Sequence, residues 1–434
     1  ASLTWIQQLV LALCKSVALC LFEAWQAALR KLAQALGRTC PRCGKRRRLK
    51  SKEPMRIEVL GISLLLPKPY LECGHCDAAG VSIIKVLTGL RSGDASVQLK
   101  LLSAYCGAKQ SYGKACQELK VHHGHTVERT KLRRMALEIE GQAMAYAERQ
   151  RKAVLEDVAQ EAKTQGVASL MLEGDGGKVR TGKLLPCEPG DPGYGNKTSF
   201  GTPRRKRPTT YRELITLDVR PPGAMESSAM DMLVPVLAKP GERARRMLAC
   251  AARSGLGSDT TVHGLGDMGS ELAASFDEAF FDYSGSWSAD WTHTRDYVDA
   301  AAKVLQHINA QAWATHLKDA IWTRDANRRD DLCQQPHKHR MAELPPGLEK
   351  CPVAAMTTYL RNNWRYMHFA DKKAQGLPIV SARAEAQVRD RTKHRYCVAG
   401  AWAEENLEPK ATLRAIIADG RWEAFCDDVL HRSM

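Results

Sequence analysis

The stretch SLMLEGDGGKVR, residues 169–180, constrains this chain more than any other. Leu170-Met171-Leu172 is a short apolar run closed on both sides by polar residues, the pattern of a buried strand. Glu173-Gly174-Asp175-Gly176-Gly177 follows, and Lys178-Val179-Arg180 resumes an extended pattern. The two glycines after Asp175 remove side chains where the backbone bends or a bulky group comes close. A carboxylate at the end of a buried strand, beside glycines, is well placed to hold a divalent metal, and oxygen ligands suit Mg²⁺. The same residues also read as a hairpin turn with Asp175 solvated, because Asp-Gly is the strongest short hairpin signal. Both readings stand on this stretch alone.

Charge narrows the partner. Lys and Arg total 64 against 48 Asp and Glu, a net +16, with a pI near 9.3. The excess is clustered at Lys45 to Arg48, Arg204-Arg205-Lys206-Arg207 and Arg389 to Arg395, the last carrying Arg391 and Lys393. Clustered positive charge points to a polyanion, nucleic acid before membrane, whereas scattered charge serves only solubility. Residues 9–22 are apolar but Lys15 interrupts them and Glu23 closes them, too short and too charged for a spanning helix. The N-terminus lacks a basic region and a small-residue cleavage site, so a cytoplasmic protein is expected. The length, 434 residues, favours two to four domains with ample chain for a core.

Ten of the fourteen cysteines are scattered singly, as reduced thiols usually are. The other four form two CxxC pairs, Cys40/Cys43 and Cys73/Cys76, a strong tetrahedral zinc signal. Strands over 56–60 and 62–64 between them predict a zinc ribbon, two knuckles joined by a hairpin. His75, inside the second knuckle, reads as solvated. Before the ribbon, residues 2–36 predict one apolar helix that must pack on the body or on a second copy. After it, helices over 95–107, 111–120 and 126–164, with Ser111 and Thr126 as N-caps, predict a helix-turn-helix. Arg129 and Arg133 share a face of the third helix, as do Thr130 and Arg134, suiting contact with bases or phosphates. An ordinary three-helix packing unit with a solvated basic face reads equally. His122, His123 and His125 read as turn residues, since the rest of a ligand set is missing.

The central region alternates. The opening stretch gives way to a long Pro/Gly/basic loop over 186–210, then a strand over 211–219, a helix over 242–254 and a strand over 261–265 with Asp267 at its end. A helix from 270, a strand over 286–291 with Asp290 near its end, His293, and a helix over 294–308 follow. Hairpin strands followed by α/β alternation is the order of a ribonuclease-H-like domain. Residues 310–375 predict an all-helical insertion. Residues 377–385 run into a basic helix, and two short helices end the chain. The expected class is therefore multidomain α+β. Its parts are an N-terminal helix (1–37), zinc ribbon (38–93), helix-turn-helix with a long third helix (94–164), ribonuclease-H-like core (165–308), helical insertion (309–376) and a C-terminal helical part of the core (377–434).

This combination resembles the Kra-type bacterial insertion-sequence transposases, relatives of the Mutator-like DDE enzymes. The resemblance spans most of residues 38–430. It is most specific at LPIVSARAEAQV (377–388), Gly400-Ala401-Trp402, Leu413-Arg414 and Gly420-Arg421-Trp422. Carried over, it implies an acidic triad of Asp175, Asp267 and Glu385. The triad would hold two Mg²⁺ (or Mn²⁺) ions that stabilise the attacking and leaving oxygens of an in-line displacement at phosphorus. Asp175 would bridge both ions; water would attack first, the freed 3′-OH second. The resemblance further implies double-stranded DNA, element ends and target, as partner, with a homo-oligomer in the DNA complex. The chain departs from the family pattern in having Asp267-Met268-Gly269-Ser270-Glu271 for Asp-Gly-Ala and Val380-Ser381-Ala382 for Gly-Ser-Gly. The family's Asp-x-x-x-His element is shifted, with Asp290 and His293 nearest as accessory groups. A catalytically inactive DNA-binding regulator using residues 38–164, or a zinc-ribbon scaffold in a larger nucleoprotein assembly, are the alternative functions.

Overall fold

A computed structural model describes residues 38–51, 54–59, 62–67, 70–88, 93–160, 166–198, 201–206, 208–224, 226–234, 241–269, 271–305, 309–338, 351–396 and 402–433, with part of 13–35. The expected helix over 2–36 thus lies largely outside the described residues, as does Arg207. The chain divides into two compact units. One comprises Ala1–Gly107 and Tyr112–Ala136, the other Ala108–Ser111 and Leu137–Arg432.

In the first unit, β1 (Arg48–Ser51), β4 (Tyr70–Glu72) and β5 (Val81–Ser82) form a three-stranded antiparallel sheet. The expected hairpin is present as β2 (Pro54–Val59) and β3 (Ile62–Pro67), paired from Pro54↔Pro67 to Val59↔Ile62. Alternation buries Met55, Ile57, Leu64 and Leu66, and Phe22 packs on them. β2 also hands the chain to the helices. Glu58 N–H donates to Asp94 O at 2.8 Å, and Ser96 N–H donates to Glu58 O at 2.7 Å. Ser96 Oγ in turn accepts from Leu99 N–H and caps the helix Val97–Lys109. A second helix, Tyr112–His123, ends on Gly124 at φ 60°, where His125 N–H bonds Leu119 O. The third helix, Arg129–Gln160, begins past Thr126, so Thr126 is not its cap. Leu99, Ala115, Leu119, Leu132 and Met135 close the core among the three. His122 and His123, expected in the turn, instead end the second helix and are exposed, whereas His125 lies past Gly124 and is buried, 3.9 Å from Glu58.

The second unit holds a mixed five-stranded sheet. Its strands are β6 (Ser169–Thr181), β9 (Thr210–Arg220), β10 (Ala229–Leu233), β11 (Thr261–Gly266) and β12 (Ser284–Ala289), in spatial order β10-β9-β6-β11-β12. β9 runs antiparallel to both its neighbours, β10 and β6, and β6, β11 and β12 run parallel. The loop over 186–210 contains a small hairpin, β7 (Leu185–Pro186) with β8 (Arg205–Lys206). The opening stretch departs from both sequence readings. It is one continuous strand of 13 residues, paired with β9 throughout, and Asp175 sits opposite Thr216 rather than at a turn or at the strand's end.

The sheet carries a core on each face. Leu170, Leu172, Leu217, Val262 and Trp287 pack with the helices Glu242–Arg253, Leu272–Ala279 and Trp291–Ala302. Val179, Leu214, Met230 and Met232 pack with Tyr396, Leu407 and Ala411 of the C-terminal segment. Residues 310–322, 326–338, 352–366 and 369–374 are helical, and their Trp313, Ile321, Met356 and Phe369 join the first of these cores. Among the described residues no helix is long and apolar enough to cross a membrane.

Within the second unit, the part of the long helix from Leu137 on is held by charge. Glu140 pairs with Lys410, both fully buried, and Arg151 Nη1 lies 3.2 Å from Asp231 Oδ2. Removing one partner of a buried pair strands the other charge and costs about 3–5 kcal/mol, whereas replacing both by apolar groups is often neutral. Glu140→Ala is therefore expected to lower the stability of this unit by about 3–5 kcal/mol in chemical denaturation. The pair Glu140→Leu/Lys410→Met should recover most of that loss. Equal losses in both variants would contradict the buried ion pair.

Candidate functional site

β6 and β11 are parallel neighbours paired as far as Gly174↔Gly266, and β12 continues the row to Gly266↔Ala289. The next residues of the three strands are Asp175, Asp267 and Asp290. Strands lie about 4.8 Å apart and side chains alternate, so three residues at one level share one face. β11 and β12 stop at this level while β6 runs on along β9, so the row stands on an edge of the sheet. Asp175 and Asp267 are partly buried. Burial pushes the Asp175 carboxyl above its usual range; Gly176 N–H (2.7 Å) and His293 pull it down, and Asp267 and Glu385 push it up.

Asp290, fully buried, serves as a peg. Its Oδ1 accepts from His293 N–H at 2.9 Å and caps the helix Trp291–Ala302. Its Oδ2 accepts from the Ser381 hydroxyl at 2.6 Å and from Ser381 N–H. Trp291 N–H donates to Ile379 O at 2.9 Å, so the chain over 379–381 is stitched to the end of β12. Glu385 N–H donates to Ser381 O one turn later, in the helix Ala382–Gln387. The Glu385 side chain is exposed, and His293 Nε2 lies 3.7 Å from its Oε1. Glu385 thereby joins Asp175, Asp267 and His293, although it follows Asp267 by more than a hundred residues.

Three further contacts hold this helix to the sheet. Arg383 Nε lies 3.0 Å from Asp218 Oδ2, and its Nη2 bonds Ser227 Oγ at 3.3 Å. Asp218 also takes Arg220 Nη1 at 2.8 Å, and Arg220 pairs with buried Glu173. Past Gln387 the helix widens into a π-turn, Val388–Lys393, that lies against Gly177. A Cβ on Gly177 would meet Thr392 Cγ2 at 2.8 Å and Val388 Cγ1 at 3.2 Å, so the glycine admits a helix to the strand. Ser381, Arg383 and Asp218 were not singled out in the sequence; the only signal available was Arg383 and Ser381 flanking the candidate Glu385.

The basic candidates fall into groups. Arg129, Arg133, Arg134, Arg204 and Arg205 are exposed. Lys206 is held by Asp191 at 2.7 Å and Glu188 at 3.6 Å, which takes up much of its charge. Arg389 lies beside Asp390 at 3.4 Å. The side chains of Arg391 and Lys393 lie outside the described residues.

In the first unit the four CxxC sulfurs meet. All lie within 4.8 Å of one another, with Cys40 and Cys76 at 3.7 Å and Cys43 and Cys73 at 3.5 Å. Four thiolates around zinc at about 2.3 Å stand about 3.8 Å apart, so the cluster fits that ion. The first knuckle is a tight turn, with Gly44 N–H on Cys40 O and Cys40 N–H on Lys45 O. Its backbone N–H groups, from Cys43 and Arg42, hold the Cys40 thiol down at about 6, favouring the thiolate a metal needs. Among the described residues no other group of three or more His, Cys, Asp or Glu gathers this tightly, so the acid row is the more open arrangement.

No protein-family model matches the chain, and no curated protein matches it. Among solved structures it is similar to the Drosophila P element transposase strand transfer complex, at 12% identity and a TM-score of 0.32, over 79% of this chain and 96% of that one. A superposition this loose does not bear on the chemistry.

Two outcomes follow from this geometry. Elemental analysis of purified protein should find about one zinc per chain, lost in Cys40→Ser together with the order of the ribbon; a metal-free, folded ribbon would contradict the cluster. Gly177→Val should drive the 382–396 segment off β6. Faster amide exchange there, with the first unit unchanged, is the expected readout, and unchanged protection would show that the segment tolerates the methyl groups.

Proposed function

We propose that this chain is a DDE-type DNA transposase, a metal-dependent polynucleotidyl transferase that cuts and joins DNA strands at the ends of an insertion element. The observation that carries this reading is the placement of Asp175 and Asp267 at one level of neighbouring strands, with Glu385 delivered beside them by a helix pegged on Asp290. The sheet order, three antiparallel strands followed by two parallel ones, supports a ribonuclease-H-like core. The resemblance of residues 38–430 to the Kra-type transposases supports the assignment of the three acids.

The donors suit the metal. Three carboxylates, with a histidine alongside, are hard oxygen-rich ligands of the kind that hold Mg²⁺ or Mn²⁺. Asp175, Asp267 and Glu385 would hold the ions, as the resemblance implies. When bound, such a pair neutralises the charge that develops at phosphorus during in-line displacement. The open spacing of the acids fits a site completed by substrate phosphate. The chain's own work is positional: the sheet sets two acids, and Asp290, Ser381 and Arg383 set the third. His293, beside Glu385, is placed to donate to that carboxylate or to a phosphate oxygen.

DNA would be held outside this site. The three helices of the first unit fit a helix-turn-helix, with Arg129, Arg133 and Arg134 exposed on the third. Arg204 and Arg205 would add phosphate contacts from the β7–β8 hairpin, and Lys206 less, because Asp191 and Glu188 already neutralise it.

Asp175→Asn should abolish Mg²⁺-dependent cleavage of DNA carrying the gene's own flanking sequences while leaving DNA affinity unchanged. Cleavage that survives the change would sink the triad. Wild-type protein that binds those ends but never cuts them would favour the inactive regulator. Log affinity should also fall with log salt by about 0.9 per phosphate contacted. Replacing Arg204 and Arg205 by Ala should shallow the slope by roughly 2, and Lys206→Ala by distinctly less than 1. A salt-independent affinity would defeat the DNA reading.

A further inference from the structure

One aromatic pair beside the acid row has no part in the function proposed so far. Tyr297 and Tyr359 stack face to face, with ring centroids 4.1 Å apart and planes 15° from parallel. Tyr359 is the inner ring, 8% exposed, and its hydroxyl meets Thr294 Oγ1 at 3.3 Å. Tyr297 is the outer ring and remains 37% exposed.

Three observations place the pair at the site. Tyr297 follows His293 by four residues in the helix Trp291–Ala302, so the two share a face about 6 Å apart along the axis. His293 itself lies 3.7 Å from Glu385. From the other side, the Tyr359 hydroxyl meets Thr294 Oγ1, which donates to Asp290 O, so the inner ring is tied to the end of the row; burial pushes its phenol up, and the charges of Asp267 and Asp290 add to the push. The stack is also rigid. Thr294, which meets Tyr359, anchors its own hydroxyl on Asp290 O at 2.8 Å.

A stacked pair whose outer ring stays partly exposed can accept a third flat ring. In a site built for phosphate chemistry, the flat ring that accompanies a phosphate is a nucleobase. Base–aromatic stacking tolerates any sequence because every base has a π-face. A base can use it only after leaving the duplex stack, since both its faces are otherwise covered. We propose that Tyr297, backed by Tyr359, is a stacking platform for one unpaired base next to the phosphate held at the acid row. The inference rests on the transposase reading and adds to it a demand for local unpairing at the cut.

The test uses the full chain with Ca²⁺ and two linear duplexes of equal length. One is fully paired; the other has two mismatched terminal pairs carrying 5-iodouracil. Photocrosslinking followed by peptide mapping should label Tyr297 on the mismatched end. The wild type should prefer the mismatched duplex, and Tyr297→Ala should weaken binding to it by about 5- to 150-fold, the range for one stacked base, with little change on the paired one. Tyr297→Trp should keep both the preference and the crosslink. Crosslinks only elsewhere, or equal losses on both duplexes, would overturn the platform. If wild-type cleavage in Mg²⁺ persists in that case, the platform alone fails. If the protein neither crosslinks nor cuts, the transposase reading has failed first.

Discussion

A buried carboxylate organises the edge of the sheet. Asp290 ends β12, caps the following helix through His293 N–H, and takes both the hydroxyl and the amide of Ser381. A carboxylate fully removed from water is tolerable only when its oxygens are satisfied, and the donors here come from two distant parts of the chain. Break that peg and the segment leading to Glu385 loses its tie to the sheet. Neighbouring strands deliver two acids by register alone, but the third depends on this interaction.

Carboxylates at one level of the sheet therefore do different work, and burial separates them. Asp290 is enclosed by donors, Asp175 and Asp267 are partly open, and Glu385 faces solvent on its helix. The level beneath is a structural brace: Glu173, Arg220, Asp218 and Arg383 form a chain of alternating charge across the sheet to the same helix. Gly177 lets that helix reach the strand, and Trp402 N–H on Arg180 O ties the segment to β6 beyond it.

The net charge of +16 overstates what the surface offers a polyanion. Arg151, Arg220, Arg246 and Lys410 are buried and paired with Asp231, Glu173, Glu408 and Glu140. They hold the long helix and the C-terminal helices to the sheet. Other cations stay exposed, Arg129, Arg133, Arg134, Arg204 and Arg205 among them. Composition counts both kinds alike.

Much was legible in the residues alone. Two CxxC pairs can satisfy a metal only by meeting, and they meet. The hairpin between them, the helices around Gly124 and the strands of the central sheet follow from local apolar periodicity, turn chemistry and chain order. Other features were decided by tertiary structure. Asp-Gly-Gly looks like a turn because local propensity favours one, yet β9 pairs along its whole length and a helix fills the space that Gly177 leaves. The resemblance makes Asp290 an accessory group, whereas its partner Ser381 lies about ninety residues away. Lys206 looks like an exposed cation until Asp191 closes on it. Sequence determines what each residue can do; which partner satisfies a buried charge depends on long-range contacts that no local pattern encodes.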